Sequence, residues 1–180
     1  MKIPCKLSEI TYNGRKGVEL MAEKKIRRAV TADLERLMEI YAAARQFMVE
    51  NGNPTQWKNG YPQREMLEND IVLERLYVVE EDGGLCGGFV FFVGDDPTYG
   101  YIEGSWRSQR PYGVIHRIAG VGGGVFNAAI AFCQQQIDHL RIDTHADNKP
   151  MQHLVEKAGF SERGIIYVDD GSPRIAYDRI

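Results

Sequence analysis

The residues with the clearest chemical meaning are glycines. A short apolar run, Val114-Ile115-His116-Arg117-Ile118-Ala119, leads into Gly120-Val121-Gly122-Gly123-Gly124 and then into the helical pattern that begins Val125-Phe126-Asn127-Ala128-Ala129-Ile130. Glycine admits positive φ and lets the backbone approach a ligand closely. The first N–H groups of the following helix lack intrahelical partners, and the helix dipole favours an anion there. A pyrophosphate fits such a loop, and a tight strand-to-helix turn with no ligand fits it as well. A Walker loop is excluded, because Gly124 is followed by Val125-Phe126 rather than Lys-Ser/Thr. A Rossmann fingerprint fits poorly, since the loop comes late in the chain and its glycines are misplaced.

Titratable residues flank this loop. His116 shares the Val114/His116/Ile118 side of its strand, and histidine titrates near neutrality, so it is a candidate general base or a hydrogen-bonded core residue. Glu103 lies among aromatics in Tyr101-Ile102-Glu103-Gly104-Ser105-Trp106, which could raise its pKa, or it is a solvated carboxylate at a bend. Tyr167 and Tyr177, near the C-terminus, are candidate acids or packing residues. Further along, Asp143, His145 and Asp147 alternate, but no fourth ligand is near, so they read as a capped strand end with no metal. Asn148 reads as the N-cap of the next helix, its side-chain oxygen satisfying a free N–H near Met151, and Gly159 closes that helix.

Taken with Asn148 and Glu156-Lys157-Ala158-Gly159-Phe160, the glycine loop resembles the GNAT-type N-acetyltransferase superfamily. In that family an Asn opens the fourth helix, which closes on Glu-Lys-x-Gly-Phe, and an Arg/Gln-x-x-Gly-x-Gly/Ala loop holds the acetyl-CoA pyrophosphate. The resemblance covers about residues 25–180. Arg117 to Gly122 fits the loop pattern literally, but counting back from the helix favours Gly122-Gly123-Gly124, with Ala119 where Arg or Gln is expected. The resemblance implies a cofactor site built from Arg117, Ile118, Ala119, Gly122, Gly123, Gly124, Val125 and Asn148, with acetyl-CoA as donor and CoA as product. A backbone N–H of the strand would stabilise the oxyanion. One departure is plain: many members carry a tyrosine two residues before the Lys, where it protonates the departing thiolate, and here that position is Val155.

The implied activity is acetyl transfer to a primary amine of a small acceptor, by direct attack in a ternary complex. His116, Glu103 and Tyr167 are the candidate catalytic residues. Trp57, Tyr99, Trp106 and Tyr112 fall in the two segments that would cover the acceptor, along with Tyr61 and Tyr101. Their density suits an apolar or cationic amine, and equally suits loop packing or contact with a second copy in a homodimer. Asp95, Asp96 and Glu103 favour a cation. The competing reading is a non-catalytic acyl-CoA-binding or sensing module of the same fold.

The elements that must position these residues follow from periodicity and turn signals. A strand over 25–29 precedes an amphipathic helix over about 31–49, with Thr31 as N-cap, and Asn51-Gly52-Asn53-Pro54 ends it. Residues 62–75 read as a second helix, and 76–81 with 85–93 as a hairpin across Asp82-Gly83-Gly84. A short strand at 101–106, strands at 114–119 and 139–144, helices at 125–136 and 148–158, and a last hairpin of 160–168 with 174–180 complete the order. The fold class is α/β, of α+β type: a mixed, mostly antiparallel sheet with helices on both faces.

Composition bounds the rest. The chain has 180 residues and a net charge of −3, with 43% hydrophobic and 26% charged residues, which fits one ordinary globular domain and excludes disorder and a strongly basic nucleic-acid binder. Cys5, Cys86 and Cys133 make neither a disulfide framework nor a metal pair. The longest apolar run, 85–93, is about half a membrane span. No secretory signal is visible, so a reducing cytoplasm is the expectation. Residues 1–20 carry +2 against −5 for 21–180 and read as an extension to the 21–180 domain, either an arm or an added edge strand. Lys16 to Met21 can also be encoded by a purine-rich run resembling a bacterial ribosome-binding site before the Met21 codon. On that reading the native bacterial protein starts at Met21, and its intact mass would show it.

Overall fold

The computed structural model describes residues 10–12, 15–17 and 24–180. Two short strands, β1 (Ile10–Tyr12) and β2 (Arg15–Gly17), pair with each other. The reading of residues 1–20 as an arm or edge strand, and Cys5, otherwise lie outside the described residues. The main sheet contains β3 (Lys25–Arg28), β4 (Leu76–Glu81), β5 (Gly84–Val93), β6 (Glu103–Gly104), β7 (Gly113–Gly120), β8 (Leu140–Thr144), β9 (Ser161–Tyr167) and β10 (Pro173–Arg179). Its eight strands run β3-β4-β5-β7-β8-β10-β9-β6, and every pair is antiparallel except β7 with β8.

Helices cover both faces. Helices α1 (Leu34–Glu50) and α2 (Arg64–Val72) bury Leu34, Leu37, Ile40, Tyr41 and Leu67 against Leu76, Val78 and Val90. Helices α3 (Val125–Gln136) and α4 (Lys149–Lys157) bury Val125, Phe126, Ala129, Ile130 and Val155 against Val79, Phe89, Phe91, Ile115 and Ile142 on the opposite face. The alternation along β4 and β5 sends successive side chains to opposite layers. Val155, which stands where a family tyrosine is common, is fully buried in this second layer.

The first helix starts differently from the expectation. Thr31 is inside a 3-10 turn, Thr31–Asp33, and the capping carboxylate is that of Asp33, which accepts from Val30 N at 2.8 Å and from Arg27. The short strand expected over 101–106 is only two residues long. It meets β9 through Gly104 and Gly164, and a Cβ on either would collide with the partner backbone, at Arg163 O or Glu103 O. Among the described residues, no helix is long and apolar enough to cross a membrane.

Candidate active site

The parallel pairing of β7 with β8 stops after three positions, Gly113 with Leu140, Val114 with Arg141 and Ile115 with Ile142. Beyond Ile115 the two strands diverge, and the edge of β7 toward β8 has no strand partner. A cavity of about 570 Å³ opens there, lined on the two strands by Ile115, His116, Arg117, Ile118, Ile142, Asp143 and Thr144. Its outer walls come from the 51–63 loop, including Gln56 and Trp57, and from the 168–174 turn, including Arg174.

A β-bulge shapes β7 at the mouth of this cleft. Gly88 pairs with Ala119 and Val90 with His116, so Arg117 and Ile118 together face Phe89. Arg117 takes the left-handed conformation, φ 52°, which is costly for a residue with a Cβ. Its surroundings hold it there: the guanidinium donates to Asp70 Oδ2 at 2.6 Å and to Tyr61 Oη at 3.1 Å, while its carbonyl accepts from Tyr41 Oη at 2.8 Å. Asp70 is fully buried and also binds Arg75 at 2.7 Å. The bulge corrects the expectation that Val114, His116 and Ile118 share one side: Ile118 joins Ile115 in the α3 layer, leaving His116 with Val114 on the other. The Arg117 guanidinium is taken up by Asp70 and Tyr61, while the residue itself lines the cleft.

His116 stands between two acids. Its Nε2 is 2.7 Å from Asp96 Oδ2, and its Nδ1 is 3.6 Å from Asp143 Oδ1. Asp96 Oδ1 accepts from Thr98 N at 2.8 Å and Thr98 Oγ1 at 2.5 Å, while Asp96 N donates to Tyr112 Oη at 3.2 Å. Burial pushes the Asp96 carboxyl up, but His116 and the Thr98 donors outweigh it and hold it at about 2. An ionised Asp96 places the imidazole proton on Nε2 and leaves the Nδ1 lone pair toward Asp143, beyond direct hydrogen-bonding distance. Asp143 Oδ1 accepts from Tyr99 Oη at 2.8 Å; burial, then the nearby Asp143, push the Tyr99 phenol up, so it stays a donor.

The remaining expected residues divide into those at the cleft and those outside it. Trp57, Ile118 and Asn148 line it. Asn148 caps α4 as expected, accepting from Met151 N at 3.2 Å, and its amide donates to Gln56 Oε1 at 2.9 Å. Gly122, Gly123 and Gly124 lie outside the cavity, in the turn that opens α3; Val125 is the first residue of α3, and Gly124 is its N-cap at φ 82°. Tyr99, Trp106 and Tyr112 do not line this cleft; Tyr99 and Tyr112 are buried and Trp106 half-buried, and all three line a second pocket together with Asp95, Asp96 and Arg141. The Arg141 guanidinium is sandwiched 4.0 Å from the Trp106 ring centre and 3.7 Å from that of Tyr112, and Trp106 Nε1 donates to Tyr99 O. Glu103 and Tyr167 bond to each other at 2.8 Å on the exposed β6/β9 edge and do not line the cleft. Tyr177 is buried in the core, its phenol pushed up to about 12, chiefly by burial.

Gln56, Asp143 and Arg174 are cleft residues that sequence reasoning did not assign to the site. Asp143 carried a signal, its two-residue spacing from His145, but the pairing with His116 depends on the β7/β8 register. Gln56 lies within the 51–63 loop and Arg174 near the start of β10, where no pattern announces them as site residues.

Residues 34–160 match the family model for the acetyltransferase (GNAT) family. The chain belongs to this family. A GNAT-family acetyltransferase from Streptococcus agalactiae is 29% identical, with a TM-score of 0.80 over 90% of this chain and 98% of that one. GNAT-family acetyltransferases from Listeria monocytogenes and Bacillus anthracis share the fold at 18% and 15% identity, with TM-scores of 0.64 and 0.61; they cover 96% and 89% of this chain and 99% and 96% of theirs. No curated protein matches the chain.

The residues of this GNAT chain suit an extended thioester cofactor. The unpaired β7 edge beyond Ile115 can take an extended arm as a strand would, and Ile118 and Ala119 lie on it. The turn before α3 is open: a Cβ built on Gly122 or Gly123 meets nothing within 4 Å. The first N–H groups of α3 lack intrahelical partners and no side chain caps them, and the helix dipole favours an anion there.

Proposed function

We propose that this GNAT protein transfers an acetyl group from acetyl-CoA to the primary amine of a small acceptor, by direct attack in a ternary complex. The observation that carries the reading is the divergence of β7 from β8 with His116, Asp96 and Asp143 gathered at the point of divergence. When bound, the thioester supplies an activated acetyl group. Ile118 and Ala119 would hold its arm, Gly122 to Val125 would receive the pyrophosphate at the α3 N-terminus, and Asn148 would close the far wall.

Asp143 draws the ammonium form of the acceptor into the gap beside His116. His116 Nδ1 takes the proton, and Asp96 balances the imidazolium that results, as a carboxylate oriented on a histidine does in hydrolytic triads. A new N–C bond forms as the C–S bond breaks, and the thiolate takes up a proton at neutral pH. With Val155 buried, α4 offers no tyrosine for that last step.

The test is thiol release from acetyl-CoA across a panel of amines. Amine-dependent release supports the reading. Tight CoA binding with no release from any amine would favour the non-catalytic acyl-CoA module, for which the buried Val155 speaks; no CoA binding would reject both.

A further inference from the structure

The cations lining the cleft are Lys58, Arg75, Arg117 and Arg174. Lys58 pairs with Asp170 at 3.3 Å, and Arg75 and Arg117 share the buried Asp70. Among the described residues, Arg174 has no carboxylate partner. Its Nη1 donates to Ser172 Oγ at 2.9 Å and to Pro173 O at 3.0 Å; Ser172 Oγ in turn donates to Asp170, which reaches Arg174 only through that hydroxyl, and Arg174 is only 7% exposed. A guanidinium largely removed from bulk water and without a direct ion pair, at the wall of a cavity, is poised for an anion from outside.

Its place relative to His116 follows from the register. Ala176 lies directly opposite Asp143 across β10 and β8, so Arg174, two residues on, shares the Asp143 side of the sheet. Arg174 is therefore the diagonal neighbour of Asp143 on that side, and such neighbours are about 7–8 Å apart. Asp143 in turn is 3.6 Å from His116 Nδ1. The cleft thus has a negative end that suits an amine and, one diagonal step away, a positive end that suits an oxyanion.

From this we infer that the acceptor is zwitterionic: a small amine that also carries a carboxylate or a phosphoryl-type group, with the oxyanion on Arg174 and the nitrogen between Asp143 and His116. This inference rests on the acetyl-transfer reading and narrows its acceptor class. A simple cationic amine or a diamine would leave Arg174 unpaired and place like charges together.

The experiment uses matched acceptors: α- and β-amino acids, their carboxamides, the corresponding aminophosphonates and simple alkylamines. Each is measured for acetyl-CoA-dependent thiol release and, separately, for equilibrium binding by calorimetry. Acceptors with an oxyanion should exceed their carboxamides at least tenfold in kcat/KM, and the better of the carboxylate and phosphonate arms identifies the group. Arg174→Gln should abolish that preference by raising the acceptor KM, with the acetyl-CoA KM unchanged. Arg174→Lys should restore part of it, and melting curves of both variants check that the fold persists. Thiol release with equal or greater efficiency from carboxamides or alkylamines, or a preference that survives Arg174→Gln in a folded variant, would overturn the inference. If no acceptor gives thiol release, the acetyl-transfer reading fails, and the calorimetry still decides whether Arg174 selects oxyanions.

Discussion

Gly123 is the position at which the donor site can be probed with least disturbance. A Cβ there meets nothing within 4 Å, and its φ is not positive, whereas Gly122 and Gly124 sit at φ 85° and 82° and a Cβ on Gly120 would strike Val125 at 2.6 Å. Gly123→Asp therefore adds a charge without forcing the backbone. A carboxylate about 7 Å from one phosphate charge interacts unfavourably by about 0.6 kcal/mol at the dielectric of water and about 2.4 kcal/mol at an effective value near 20. The loss expected for a pyrophosphate at the α3 N-terminus is about 1–3 kcal/mol, or roughly 5- to 150-fold in Kd for CoA. Gly123→Asn has nearly the same shape and no charge, and should bind CoA within about threefold of wild type. Calorimetry at low and high salt reads both variants, and salt should narrow the gap between them because it screens an exposed charge. Wild-type affinity in Gly123→Asp would refute the placement of the pyrophosphate. Equal weakening in both variants would show that the glycine is needed for its conformation and that charge is irrelevant.

Three other outcomes are expected. His116→Ala should lower the amine-dependent rate by about 10²–10⁴-fold with CoA affinity nearly unchanged, as removal of a general base does; a rate within threefold of wild type would make His116 a packing residue. Asn148→Asp keeps the cap on Met151 N but sets a carboxylate against Gln56 Oε1, which already accepts from Asn53 Nδ2 at 2.8 Å, so it should lose about 1–2 kcal/mol of stability in denaturant titration, not the near-zero change expected of a cap alone. His139 is fully buried, with neither ring nitrogen in hydrogen-bonding geometry, and burial followed by the Arg141 charge lowers its pKa below 6.5. The unfolded chain then binds the extra proton as pH falls below about 6.5, so stability should decline in that window, and His139→Gln should flatten the decline in urea midpoints between pH 7.5 and 5.5.

The sequence announces those parts of the molecule that depend on local chemistry. The strand, glycine turn and α3, the Asn148 cap and the hairpins are written in periodicity and in residues with strong positional meaning, and the structure repeats them nearly to the residue. The bulge at Arg117 and Ile118 is not so written. It comes from a buried ion pair with Asp70, far away in the chain, and it reverses the side on which Ile118 sits. The same applies to the site. His116 is visible as a titratable residue on a strand, but its partners Asp96 and Asp143 lie 20 residues before it and 27 after; the course of the 94–112 segment brings the first and the β7/β8 register the second. The aromatic density was legible, yet its purpose was not: Trp106 and Tyr112 enclose Arg141, whose charge no single segment would have shown to be buried.

Segment 94–112 leaves β5 on one side of the divergence and crosses to the other before the chain returns in β7. There it pairs β6 with β9, donates Arg107 Nε to Asp178 at 2.6 Å, stacks Trp106 on Arg141 and bonds Tyr99 to Asp143. Backbone pairing across the same seam amounts to three positions. The two halves of the sheet are thus held in register by a clasp as much as by the ladder, and the width of the opening is set by the length and grip of that clasp. Relatives with a shorter or looser segment at this place would have a different aperture on an unchanged scaffold, so bulkier acceptors could be admitted by editing a surface strap rather than by rebuilding a core.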